Sequence, residues 1–185
     1  MKNWVLGRIF LAAGLMASAA MAADKGPQAP LSDADVARQV RHELVMYPRY
    51  TIWDDVNFGV SNGEVELTGA VNQPYKKSEI ENLVRRIPGV VSVRDELKVL
   101  PLSDFDDRIR LQVARAIYRD PALSQYATMA VPPVHIIVEN GHVTLTGVVA
   151  TDFEKNIAGA RASGAGLGFG PVVNHLQVEH PAKKS

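Results

Sequence analysis

The chain has 185 residues, with 20 basic against 20 acidic side chains, 46% apolar and 22% charged residues, and no cysteine. That composition is globular and long enough for one ordinary domain or two very small ones. Absent cysteine excludes a disulfide scaffold, thiol catalysis, thiolate metal sites and attachment through a lipidated N-terminal cysteine. Zero formal charge argues against bulk nucleic-acid binding, which needs a basic surplus.

Residues 1–22 begin with Lys2 and Arg8, continue through the apolar run Ile9–Met16, and end in the small-residue pattern Ala20-Met21-Ala22. This is the layout of a secretory signal peptide. The expectation is cleavage after Ala22 and export, to the periplasm in a Gram-negative cell. The apolar run is too short to cross a hydrocarbon layer, which takes about 20 residues, and no later stretch is apolar enough to span. Residues 23–30, with two prolines and a glycine, read as a flexible lead-in.

From residue 31 the chain is written twice. Val36, Val40 and Leu44 recur every fourth residue, an amphipathic helix that Pro48 ends, and Ser32-x-x-Asp35 resembles a capping box at its start. Asn62-Gly63 predicts a type I′ hairpin, since both turn residues need positive φ. Counting outward across it pairs Val60 with Val65, Phe58 with Leu67 and Val56 with Gly69 on one face, leaving Glu64, Glu66 and Thr68 toward solvent. Ile80, Leu83, Val84 and Ile87 predict a second helix, with Lys77, Glu81 and Arg85 as a solvated ion-pair row, stopped by Pro88-Gly89. Val91–Val93 and Leu97–Val99 complete a third strand.

The second half repeats this order. Ser103-x-x-Asp106 again resembles a capping box. Ile109, Val113 and Ile117, ended by Pro121, match the first helix at an offset of 73. Residues 140–149 share seven of ten positions with residues 62–71, pairing Val138 with Val143, Ile136 with Leu145 and Val134 with Gly147. Gly168, Val172, Leu176 and Val178 match Gly89, Val93, Leu97 and Val99 at 79. Residues 157–170 depart from the pattern, with glycine at 159, 164, 166, 168 and 170. Each interior glycine costs a helix about 1 kcal/mol, so this helix should end near Ser163. The glycines lack the strand-before, helix-after setting of a phosphate loop. The predicted fold class is α+β: two tandem αββαβ two-layer sandwiches, each a three-stranded mixed sheet with two helices on one face. The expected division is 31–101, 102–180 and a tail at 181–185.

The repeated NG-x-V-x-L-T-G hairpin and the closing glycine–valine strand resemble the BON domain (bacterial OsmY and nodulation). The matched residues are Gly63, Val65, Leu67, Thr68, Gly69, Gly89, Val90, Val93, Leu97 and Val99 in the first copy. In the second they are Gly141, Val143, Leu145, Thr146, Gly147, Gly168, Val172, Asn174, Leu176 and Val178. The resemblance implies an exported, OsmY-like, non-enzymatic protein linked to osmotic and envelope stress, phospholipid association and binding or chaperoning of envelope proteins.

No pattern for catalysis stands beside it. The five histidines, His42, His135, His142, His175 and His180, lack metal-ligand spacing and read as scattered surface residues. No G-x-S-x-G elbow is present, and no catalytic residue, metal or cofactor is expected. Two surfaces are candidates for binding. On the second copy's first helix, at about 100° per residue, Arg108, Arg115 and Arg119 form a stripe flanked by Leu111 and Tyr118, as an anionic membrane surface favours. The competing reading is a solvated charge row, with Leu111 and Tyr118 packed on the other domain. The second surface is the loop of Tyr47, Arg49, Tyr50 and Trp53, which suits a protein hot spot; against it stands a plain structural role, with Tyr47 and Trp53 closing the core. The leading expectation is binding of anionic phospholipid in support of envelope integrity. The alternative is a chaperone-like or scaffolding module that binds envelope proteins.

Overall fold

The computed structural model describes residues 31–166 and 168–179. The expected signal peptide, lead-in and tail lie outside them. The first copy consists of α1 (Asp33–Met46), β1 (Asp55–Ser61), β2 (Glu64–Val71), α2 (Pro74–Arg85), β3 (Ser92–Asp95) and β4 (Lys98–Val99). The second repeats the order with α3 (Asp104–Tyr118), β5 (Val134–Glu139), β6 (His142–Val149), α4 (Asp152–Gly164), β7 (Val173–Asn174) and β8 (Gln177–Val178). A short 3-10 turn, Ser124–Thr128, follows α3.

Each hairpin is antiparallel with the expected pairing: Val60 lies opposite Val65 and Phe58 opposite Leu67, as Val138 lies opposite Val143 and Ile136 opposite Leu145. Asn62 and Gly63 have φ of 52° and 75°, Asn140 and Gly141 of 51° and 82°, the left-handed pair that a type I′ turn demands. The third strand is parallel to the hairpin's second but breaks in two, β3 and β4 in one sheet, β7 and β8 in the other. At each break one leucine, Leu97 or Leu176, turns into the core and is 2% or 1% exposed. The glycine of the L-T-G motif has its own cause: Gly69 (φ 109°) and Gly147 (φ 106°) sit where a Cβ would collide with the carbonyl oxygens of Asp55 and Pro133.

Two separate cores form. Val36, Val40, Leu44, Val65, Leu67, Ile80 and Val84 close the first; Ile109, Val113, Ile117, Ile136, Leu145, Ala158 and Leu176 the second. Four expectations are revised. Ser32 and Asp35 make a reciprocal capping box, whereas Ser103 caps alone, because Asp106 turns inward to the hairpin. Lys77 leaves the expected ion-pair row and donates to the carbonyl of Leu97 at 2.6 Å, leaving Glu81 paired with Arg85. His135 is not a surface residue: it is 8% exposed, against the Tyr50 ring at 5.3 Å. The loop before β1 is divided between the two cores, with Tyr47 buried in the first while Ile52 and Trp53 pack on the second.

Candidate functional site

The inner face of α3 is fixed by Ile109, Val113 and Ile117, so the residues about 180° away must face out. Arg108, Leu111, Arg115 and Arg119 are accordingly exposed, Leu111 by 49%. The Arg108 guanidinium lies 5.9 Å from the Phe105 ring centroid. No described carboxylate is within ion-pair distance of Arg108, Arg115 or Arg119. Arg115 and Arg119 line a shallow cleft with Arg161 of α4, floored by Ala116, Ala160 and Gly164. Small residues let the two helices approach, so three guanidinium groups meet on one face. The one acid there, Asp120, is 7% exposed and already committed: it accepts from the Ala122 amide at 2.8 Å and from Arg161 at 2.6 Å. Those two contacts, the amide first, hold its carboxyl below the usual range. Arg161 was invisible as a member of this site in sequence, because only the packing of α4 beside α3 brings it there.

Tyr118 is not part of the outer surface. Its ring packs on the second core and its hydroxyl donates to the Val134 carbonyl at 2.6 Å; burial raises its pKa. The membrane-facing candidates brought together are therefore Arg108, Leu111, Arg115 and Arg119.

The loop candidates scatter. Tyr47 is 9% exposed and donates to Glu79, which also pairs with Arg49; burial first, then Glu79, raises the Tyr47 pKa. Tyr50 is half-buried, its pKa pushed up to about 12 by burial. Ile52 accepts from the Ile136 amide at 2.7 Å, and Trp53 follows it onto the second core. Lys98 and Glu139 add an ion pair of 2.6 Å across the same junction. Of the four named loop residues, Arg49 alone is exposed, over the Tyr75 ring.

Three features escaped the sequence reading. Asp33 accepts from the amides of Asn62 and Gly63 at 2.7 and 2.9 Å, and Asp106 from those of Asn140 and Gly141 at 2.9 and 2.8 Å. Their shared offset of 73 was the available signal. Asp54 and Lys76 form a buried ion pair of 2.6 Å that no spacing announces. Finally, a partly open pocket of about 150 Å³ lies beside the glycine-rich loop, lined by Val113, Val143, Ala162 and Val172 with the exposed Gln112 and Ser163. Among the described residues no cluster of acids and histidines is placed to hold a metal ion, and no helix is long and apolar enough to cross a membrane.

No curated protein matches the chain. Two solved structures are similar to it: CdsD, a structural protein of the type III secretion system of Chlamydia trachomatis, at 16% identity over 80% of this chain and 94% of that one with a TM-score of 0.28, and the C-terminal domain of CdsD, at 15% identity over 81% and 100% with a TM-score of 0.29. The sequence model of the BON domain matches twice, over residues 32–101 and 105–180. The chain belongs to the BON-domain family, with two copies in tandem.

Proposed function

We propose that this BON-domain protein is exported to the periplasm and supports the cell envelope by binding anionic phospholipid through the outer face of α3, without catalysing a reaction. The observation that carries the reading is the set of unpaired guanidinium groups at Arg108, Arg115 and Arg119 around the exposed Leu111. Each basic residue near an anionic surface contributes about 1 kcal/mol, and an apolar side chain at the same depth adds burial. Arg161, tied to Asp120, adds breadth to the basic face and little net charge. Envelope-protein binding through Tyr47, Arg49, Tyr50 and Trp53 is the weaker reading, since Tyr47 and Trp53 are engaged inside the chain.

Vesicle flotation tests it. The protein should float with phosphatidylglycerol vesicles at low salt, less so as salt screens the contact, and not with neutral phosphatidylcholine vesicles. Arg115→Glu with Arg119→Glu should lower the bound fraction about tenfold or more, since reversing two charges changes the contact by several kcal/mol. Absence of flotation at low salt overturns the reading.

A further inference from the structure

The pocket beside the glycine-rich loop and the arginine cleft lie next to each other in one groove between α3 and α4. Gln112 and Ser163 stand at the rim of the pocket, Ala116 and Gly164 in the cleft. Ser163 and Gly164 are neighbours in the chain, and Ala116 is one turn of α3 beyond Gln112. The pocket walls are apolar: Ile109, Val113, Val143 and Ala162 are each less than 5% exposed, and Val172 is half-buried. Its volume of about 150 Å³ is that of an apolar cavity holding about six carbons.

The adjoining cleft is positive. Arg161 is neutralised by Asp120, while Arg115 and Arg119 have no described carboxylate within ion-pair distance. The closing turns of α3 and α4 bring roughly half a negative charge each, so the two unpaired guanidinium groups leave a surplus of about one positive charge. The first domain has an equivalent groove, along Asp35, Arg38, His42, Glu43, Leu83 and Ile87, with a different character. At the helix offset of 73, His42 stands for Arg115, Glu43 for Ala116 and Met46 for Arg119. A carboxylate thus occupies the place where Ala116 lets an anion approach.

We infer that the groove of the second domain binds one single-chain lipid phosphate as a monomer from solution. The phosphate lies across Arg115 and Arg119, whose planar donor forks match its oxygens. The first six or so carbons of the chain enter the pocket between Ile109 and Ala162. The site shares two arginines with the membrane-facing set but needs no bilayer, because the pocket receives the chain.

The test titrates the full chain with n-alkyl phosphates from butyl to decyl, kept below micelle-forming concentrations, and follows calorimetry and methyl chemical shifts. Affinity should tighten about two- to fourfold per added methylene, level off near six to eight carbons, and move the Val113 and Val143 methyl resonances. Ala162→Val with Ala165→Ile, residue types that Val84 and Ile87 supply at the matching positions of the first domain, should weaken octyl phosphate at least tenfold while leaving the remaining spectrum intact. Arg115→Glu with Arg119→Glu should abolish binding. Affinity that does not depend on chain length, equal binding of inorganic phosphate, or undiminished binding in either double variant overturns the proposal. Vesicle flotation reads a bilayer contact and this titration a monomer, so each can fail without the other.

Discussion

Asp33 and Asp106 hold the two halves of their domains together from opposite ends of the sequence signal. Each is a helix residue whose carboxylate grips the two amides of an Asn–Gly turn, so one side chain satisfies donors that the tight bend leaves free. Asp106 is 1% exposed, and a buried donor left without its partner costs the most. Asp106→Ala should therefore lower the stability of the second domain by about 2–3 kcal/mol, read from the denaturant midpoint. His135 is the other residue of consequence at this scale. Burial is the main cause holding its pKa below 6.5, against smaller opposing effects of Asp55 and Asp54, and its Nδ1 has no hydrogen-bond partner. Protonation is thus easier in the unfolded chain. The stability contribution is full above about pH 6.5 and is lost as the pH falls below that value toward the lowered folded pKa. Acidification to about pH 5 should loosen the junction around Trp53, seen as a shift in its fluorescence in a Trp4→Phe background, and His135→Asn should flatten that dependence.

At the scale of elements, α2 and α4 show how the copies have diverged. The N-caps Gln73 and Thr151 lie 78 residues apart, and at that spacing Ile80, Val84 and Ile87 face Ala158, Ala162 and Ala165. Eight side-chain carbons are absent from the second core, and a partly open pocket of about 150 Å³, lined in part by Ala162 and Ala165, lies on that side of it. Ala162→Val, which points into it from a buried helix position, should raise stability by about 0.5–1.5 kcal/mol and the melting temperature by several degrees. A lower melting temperature would show that the pocket is too narrow for the added methyl groups. The glycine pattern announced a helix ending near Ser163, and α4 ends at Gly164; the space beneath it was not announced, because a void is a property of facing surfaces and not of one helix.

The whole molecule is two sandwiches joined by one short segment. Ile52 bonds the edge of the other sheet, Trp53 packs on the other core, and Lys98 with Glu139 spans the same junction. Trp53→Ala should remove the main apolar contact between the domains. A large-to-small change at a packed aromatic costs about 3 kcal/mol or more when fully buried, and less at this half-buried position. The expected signature is a single calorimetric transition separating into two; persistence of one sharp transition would mean that the ion pair and the edge hydrogen bond suffice.

What the linear chain determined is everything with a short period. Asn–Gly turns dictate positive φ, the turn dictates strand register, the fourfold spacing of valine and isoleucine dictates the helix faces, and the outward position of Arg108, Arg115 and Arg119 follows from that face. Both copies could be read this way because each signal lies within about ten residues. Tertiary structure alone decided which surfaces remain free. The sequence presented Tyr47, Tyr50, Trp53 and Tyr118 as surface candidates, and folding consumed all four in cores or at the junction. It drew Arg161 to the basic face and buried the outer side of β5 more fully than that of β1. The physical reason is that exposure depends on what a neighbouring element covers, and covering joins residues that are far apart along the chain.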